Sequence, residues 1–339
     1  MTRQAARDAF LRRAGWGGAE AAPLAGDAST RRYERLARGA ETAILMDAPP
    51  DRGNDVEPFV RIAGHLTSFG LSAPRVLAED RAEGFLLLED LGDALLARLV
   101  AETPADETAL YAAATDLLVA LHRHPAPPDL PRPGPKDMAQ AVDLALTWYA
   151  PGCGRETSAA EVERCVALVA QALADLPVEA PVVALRDFHA ENLIWLPERS
   201  GPAKVGLLDF QDAFAGRRAY DLVSLLEDAR RDVPPPVRAA MIDRYIAASG
   251  CDADAFRLSA DVVAAQRNLR ILGVFARLAM HFGKPKYVDL IPRVWAHLQG
   301  DLAHPALAEL AAFLADTLPD PTPDRLERIR HACGTHPTP

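Results

Sequence analysis

The chain has 339 residues, 49% of them hydrophobic, and a formal net charge of −10 at pH 7. This length is about twice that of an ordinary domain, so we expect two lobes and a sizeable buried core. The acidic balance argues against nucleic acid and membranes as partners, because both attract basic surfaces, and no apolar run is long enough to span a bilayer.

The N-terminal segment predicts a cytoplasmic protein. Residues 1–16 are rich in charge and lack the apolar stretch and small-residue cleavage site of a secretory signal. The cysteines Cys153, Cys165, Cys251 and Cys333 are widely scattered, which predicts free thiols and not a metal knuckle or a disulfide framework. The sequence gives no sign of an obligate protein partner.

The first part of the chain predicts a small lobe of strands and two helices. Apolar residues recur at helical spacing over 1–16 and again from Glu57 onward. Between and after these helices, alternating or continuous apolar runs predict strands. These runs lie at 32–36, 43–46, 76–77 and 85–88, with a tight turn at 26–30.

Beyond this region the pattern becomes mainly helical. We therefore expect an α+β protein with a nucleotide-binding lobe at 1–89 and a larger lobe at 90–339 that carries the catalytic loop, the metal site and the acceptor site. The C-terminal stretch 319–339 is rich in proline, threonine and charge, which predicts a frayed end. Helices are predicted at 106–124, 136–149, 158–175, 220–231, 236–249, 259–281 and 305–318, and strands at 182–185, 192–196 and 205–209.

Three polar residues in the second lobe have the spacing of a phosphoryl-transfer site. Asp187 and Asn192 lie five residues apart on a predicted turn, and Asp209 ends the next strand-like run. In such a site one carboxylate orients the acceptor hydroxyl and accepts its proton, while an amide oxygen and a second carboxylate hold magnesium against the nucleotide phosphates. Taken singly, each residue is also common in ordinary turns.

These residues resemble the catalytic segment of the aminoglycoside phosphotransferase and choline kinase group, which are small-molecule kinases with a protein-kinase-like two-lobed fold. That segment reads His-Gly-Asp-x-His-x-x-Asn, and Asp187, His189 and Asn192 match it, with Leu-Arg in place of the leading His-Gly. The resemblance implies catalytic roles for Asp187 and His189, metal ligation by Asn192 and Asp209, structural support from Asp221, and the cofactors ATP and Mg²⁺.

Within this group, the passages 26–33, 44–50 and 208–230 are similar to anomeric sugar kinases of cell-wall recycling. Those enzymes phosphorylate N-acetylmuramate and N-acetylglucosamine at C1, and the similarity covers roughly residues 10–300. It implies transfer of the γ-phosphoryl group of ATP to the anomeric hydroxyl of a small amino sugar. The alternatives are a kinase for an aminoglycoside or another small hydroxyl compound, and a non-catalytic nucleotide-binding module.

The nucleotide site departs from the kinase pattern in one respect. Kinases hold the phosphates with a lysine on the third strand of the small lobe, but the first lysine here is Lys136. Arg31 and Arg32 are the candidates to replace it, since guanidinium grips phosphate oxygens in a bidentate manner; the alternative is that both are solvated. The turn with Ser29 would cover the phosphates. The run 85–91, which includes Glu89, would be the last strand and the hinge, whose backbone groups would bind adenine.

A basic helical face is the candidate acceptor site. Arg267, Arg270, Arg277 and His281 recur at helical spacing, and no acidic residue occurs in 262–288. A face of this kind suits an acceptor that carries a carboxylate, such as N-acetylmuramate, better than a polycation. The alternative interpretation is a solvent-facing cationic helix.

Overall fold

The computed structural model describes residues 2–24 and 30–336. The helices are α1 (Arg3–Arg13), α2 (Glu57–Ser68), α3 (Leu96–Glu102), α4 (Glu107–Leu121), α5 (Pro135–Gln140), α6 (Ala150–Gly152), α7 (Ala159–Ala174), α8 (Ala219–Leu226), α9 (Pro235–Ser249), α10 (Ala253–Met280), α11 (Ile291–Asp301), α12 (Ala308–Thr317) and α13 (Pro323–His331). The strands are β1 (Glu20–Leu24), β2 (Arg32–Arg38), β3 (Glu41–Asp47), β4 (Val76–Asp80), β5 (Phe85–Glu89), β6 (Val182–Ala184), β7 (Leu193–Trp195), β8 (Val205–Leu207) and β9 (Phe214–Gly216).

The chain forms two compact units. The first comprises 1–121 with 190–213, and the second comprises 122–189 with 214–339. The division predicted after residue 89 therefore falls inside the first unit. The physical reason is the β7–β8 hairpin, because Leu207 donates its amide to the Ser72 carbonyl at 2.8 Å and Arg199 donates to the Glu89 carboxylate at 2.9 Å.

The first unit is built on an antiparallel sheet in the order β1-β2-β3-β5-β4. One face buries Leu36, Leu45 and Phe85 against Phe10 of α1, whose ring stacks on Phe85 at a centroid distance of 5.6 Å. Strand residues alternate between faces, so β2 turns its other side chains away from α1. The predicted β-rich small lobe is confirmed.

The second unit is mainly helical, as predicted, and α10 lies at its centre. Over its 28 residues α10 packs with α8, α11 and the helical turn Ala145–Tyr149. At Gly273 of α10 a Cβ atom would lie 2.1 Å from the Leu144 carbonyl carbon, so only glycine permits this close approach. Across the described part of the chain, every helix is too short or too polar to cross a membrane.

Two helices of the second unit were missed by the sequence analysis. α11 received no prediction, although its Ile291, Val294 and Leu298 are fully buried at helical spacing. α13 lies in the stretch for which only a frayed end was predicted; its Leu326 and Ile329 are buried. Their apolar spacing is helical, but a short stretch of it among many prolines is a weak signal. The four cysteines are free, as predicted.

Candidate active site

The turn that carries Asp187 is held from below by a buried carboxylate. Asp187 follows β6, and the preceding Arg186 has a φ of 77°, a left-handed conformation that non-glycine residues rarely adopt. The backbone amides of Leu185 and Arg186 donate to Asp221 at 2.6 and 3.0 Å. Burial raises the pKa of Asp221 to about 7, while the two amides favour its ionised form. Asp221 therefore fixes the backbone from which Asp187 projects.

A second buried contact ties the same turn to α10. Arg267 donates from Nη2 to the Ser224 hydroxyl at 2.5 Å, and that hydroxyl donates to the Arg186 carbonyl at 3.5 Å. Arg267 is only 6% exposed, so the solvent-facing interpretation of this helix face is wrong at that position. A buried guanidinium of this kind holds the groups it contacts in place.

Arg270 and His189 lie in the electrostatic field of the same cluster. Arg270 is partly buried, and the charges that act on it include Arg186, Arg267 and Asp187. Burial lowers the pKa of His189 to about 3, and the positive charges of nearby Arg230 and Arg267 lower it further. At neutral pH His189 is thus a neutral imidazole beside guanidinium groups.

In the first unit, the β7–β8 hairpin places Asn192 and Asp209 at one end. Leu193 pairs with Leu207, and one step further the Leu208 amide donates to the Asn192 carbonyl at 2.9 Å. Asp209 follows directly with a φ of 56°, a second left-handed non-glycine residue. Strained backbone of this kind is concentrated at functional sites. The two predicted metal ligands are therefore neighbours.

The predicted phosphate-binding arginines differ in their surroundings. Arg31 donates a hydrogen bond to the Tyr33 phenol, and the negative charge of Asp209 also acts on that phenol; burial is the main cause of its raised pKa. Arg32, the next residue and the first of β2, is exposed. Arg31 is thus the arginine on the side of Asp209. Ser29 lies outside the described residues.

Glu89 is occupied by contacts within the protein. Its carboxylate accepts hydrogen bonds from Arg75 at 3.1 Å and Arg199 at 2.9 Å, and its amide donates to the Arg75 carbonyl at 2.9 Å. The side chain therefore joins β5 to the hairpin segment. Its contact with adenine stays a prediction.

Residues 20–258 match the phosphotransferase enzyme family. The chain belongs to this family. It is 43% identical over 353 residues to the N-acetylmuramate/N-acetylglucosamine kinase of Caulobacter vibrioides. The matched region covers 94% of this chain and 97% of that protein. It is 36% identical over 319 residues to the protein of the same name from Pseudomonas aeruginosa, at 89% and 90% coverage.

The fold is shared with solved structures of much lower sequence identity. A choline kinase from Streptococcus pneumoniae superimposes with a TM-score of 0.61 at 13% identity, over 88% of this chain and 99% of that one. The likeness shows that the chain has the protein-kinase-like fold, as predicted. A phosphotransferase with this fold is an enzyme that moves a phosphoryl group to a hydroxyl acceptor.

The chemistry of this phosphotransferase family implies Mg²⁺, and the residues at the hairpin end fit that ion. Asp209 accepts a hydrogen bond from Gln211 Nε2 at 2.8 Å through one oxygen. Gln211 Oε1 is buried and, among the described residues, has no hydrogen-bond donor. Carboxylate and amide oxygens suit Mg²⁺, which takes few protein ligands and completes its shell with phosphate oxygens and water. Asn192 and Asp209 are thus suitable ligands.

Sequence reasoning missed the residues that support this site. Tyr33 lies two residues after Arg31, and Ser224 lies one helical turn after Asp221 on α8. Strand alternation and helical spacing could have placed both beside the predicted residues. Gln211 has no such signal, because its role depends on a turn with a left-handed residue. These supports act through other residues and are positioning groups.

Proposed function

We propose that this phosphotransferase transfers the γ-phosphoryl group of ATP to the anomeric hydroxyl of N-acetylmuramate and N-acetylglucosamine. The proposal rests chiefly on Asp187, which follows a strained turn clamped by Asp221 and lies in the field of Arg270. The relatives that bear the name of this activity support the choice of acceptor.

The reaction assigns Asp187 the role of general base. Its carboxylate accepts the proton of the anomeric hydroxyl as that oxygen forms a bond to the γ-phosphorus. The bond between the γ-phosphorus and the bridging oxygen breaks, ADP leaves with the electron pair, and Asp187 returns its proton to solvent. No covalent enzyme intermediate is needed.

Groups of the first unit serve the nucleotide. Asn192 and Asp209 would hold Mg²⁺, which would supply positive charge against the nucleotide phosphates. Arg31 donates to a phosphate oxygen in place of the missing lysine. Tyr33, which accepts from Arg31, restricts the guanidinium to one orientation.

Arginines of the second unit favour an acidic acceptor. Arg267 and Arg270 lie in the same cluster as Asp187, and the side chain of His189 in this cluster is neutral. Such a field attracts the lactyl carboxylate of N-acetylmuramate and repels the ammonium groups of an aminoglycoside. We therefore expect N-acetylmuramate to have the lower KM of the two amino sugars.

Phosphorus NMR tests the proposal directly. The protein is incubated with Mg-ATP and N-acetylmuramate, N-acetylglucosamine or kanamycin, and Asp187→Asn serves as the matched control. We expect a sugar-1-phosphate signal with both amino sugars, none with kanamycin and none with the variant. Phosphorylation of kanamycin alone would establish the aminoglycoside alternative, and nucleotide binding without any transfer would establish the non-catalytic one.

A further inference from the structure

Asp228, two residues beyond the end of α8, is a buried carboxylate to which the proposed mechanism gives no role. It is 2% exposed. Asp221 and Ser224 lie three residues apart on α8, and Asp228 follows the end of that helix. Arg267 donates to Ser224, and its charge acts on both aspartates. Arg267 therefore interacts with all three residues, through a hydrogen bond to Ser224 and through its charge with the two aspartates.

Asp228 differs from the other two residues in its hydrogen bonds. Both oxygens of Asp221 accept from backbone amides, and the hydroxyl of Ser224 joins Arg267 to the Arg186 carbonyl. In Asp228 only Oδ1 is used, by the Arg230 amide at 2.9 Å. Oδ2 is buried and accepts no hydrogen bond from any residue that the structure describes. Buried acceptors without a partner are rare, so this atom is available to a ligand.

The charges around Asp228 restrict what that ligand can be. The guanidinium groups of Arg230, Arg231 and Arg267 act on the carboxylate, and Arg230 Nη1 lies 4.0 Å from Oδ1, beyond hydrogen-bond distance. A cationic ligand would be repelled by these arginines, and an anionic one would face the carboxylate itself. A neutral hydroxyl group can donate to Oδ2 without either penalty.

The position of Asp228 near the proposed catalytic residues indicates that the hydroxyl belongs to the acceptor. Arg230 and Arg267, which flank Asp228, are the same two arginines whose charges lower the pKa of His189. His189 lies two residues after Asp187. Asp228 and the proposed general base therefore belong to one polar cluster of the second unit.

We propose that Asp228 determines acceptor specificity by accepting, at Oδ2, a hydrogen bond from a ring hydroxyl of the sugar. This assignment rests on the proposed function. The hydroxyl must be common to N-acetylmuramate and N-acetylglucosamine and must not be the reacting one, which leaves those at C4 and C6. A sugar that lacks this hydroxyl leaves the carboxylate unpaired, and sites of this type reject such analogues strongly.

The test compares N-acetylglucosamine with its 4-deoxy and 6-deoxy analogues in the unaltered enzyme and in Asp228→Asn. Asparagine keeps an oxygen for the Arg230 amide and loses the second acceptor. We expect one deoxy sugar to lower kcat/KM of the unaltered enzyme by about 10- to 100-fold. In Asp228→Asn that penalty shrinks to within about threefold, while the KM for ATP stays the same. Asp243→Asn, an exposed aspartate paired with Arg257, is the control and keeps the full penalty.

Three results would overturn the assignment. Equal penalties in the unaltered enzyme and in Asp228→Asn would show that Asp228 only supports the fold. If the variant does not fold, the measurement on the unaltered enzyme tests the assignment. Similar kcat/KM values for N-acetylglucosamine and both deoxy analogues would show that neither hydroxyl is recognised. Failure of the unaltered enzyme to phosphorylate N-acetylglucosamine or N-acetylmuramate would overturn the proposed function itself, and the assignment with it.

Discussion

The β7–β8 hairpin and the turn before Asp187 hold their functional residues in different ways. Asn192 and Asp209 are brought together by a short backbone ladder between adjacent strands. The turn at Arg186 depends on a carboxylate 35 residues away in sequence, Asp221, which in turn lies near Arg267. A ladder tolerates many side chains, whereas a buried charged network fails when one member is removed. We therefore expect the two regions to respond differently to mutation.

Arg267→Lys should give the largest effect among the supporting residues. Lysine keeps the charge but has a compact head that cannot reproduce the planar fork of arginine, so the contact with Ser224 is weakened. We expect kcat to fall by about 100-fold with the KM for ATP unchanged, as for a misplaced catalytic group. Arg257→Lys, an exposed position on the same helix, is the control for steady-state kinetics. Unchanged kcat in Arg267→Lys would remove the buried network from our account.

A smaller effect is expected in the first unit, where Arg31→Ala and Arg32→Ala form a matched pair. Arg31 donates to Tyr33, on whose phenol the charge of Asp209 also acts, whereas Arg32 is exposed. A lost charge-assisted hydrogen bond to phosphate costs about 1.5–3 kcal/mol, so the KM for ATP should rise at least about tenfold in Arg31→Ala. In Arg32→Ala we expect less than about a twofold change, since a solvated arginine contributes little. The reverse order would assign the phosphates to Arg32.

Positions within one short segment could be predicted from the sequence, whereas contacts between distant segments could not. The spacing of Asp187, Asn192 and Asp209 can be read from the sequence, and the roles assigned to these residues stay proposals. The hydrogen bond between Ser224 and Arg267 could not be predicted, since no local pattern specifies which helices meet. The predicted strands at 32–36, 43–46, 76–77 and 85–88 match β2 to β5 within a few residues. The two compact units divide elsewhere than after residue 89, because the β7–β8 hairpin packs with the first unit.

The smallest effect concerns a buried cluster of the second unit that is formed by Glu227, Asn268 and Asp301. Asn268 donates to Glu227 at 2.6 Å and to Asp301 at 2.8 Å, and Asp301 also hydrogen-bonds Glu227. Burial, and then the charge of Glu227, raise the pKa of Asp301 above its ordinary range. The folded state therefore binds this proton more tightly than the unfolded state, and stability decreases as the pH rises from the ordinary carboxyl range toward the raised pKa.

Asp301→Asn keeps the shape of the protonated acid and removes its titration. We expect the decrease in Tm between about pH 5 and about pH 9 to become smaller by a few degrees, corresponding to roughly 1–3 kcal/mol, with kcat unchanged. Thermal unfolding across this range measures the difference, with Asp243→Asn as the exposed control. A variant with the pH dependence of the unaltered protein would show that Asp301 is ionised in the folded state.

The most direct test of the divided roles compares Asp187→Asn with Asp209→Asn by calorimetry of ATP binding with and without Mg²⁺, alongside measurement of sugar phosphate formation. Asp187→Asn should bind Mg-ATP like the unaltered enzyme and lose turnover by about 10²- to 10⁴-fold. Asp209→Asn should lose both turnover and the Mg²⁺ dependence of binding. Loss of Mg-ATP affinity in Asp187→Asn, or unaltered Mg²⁺ dependence in Asp209→Asn, would contradict the account.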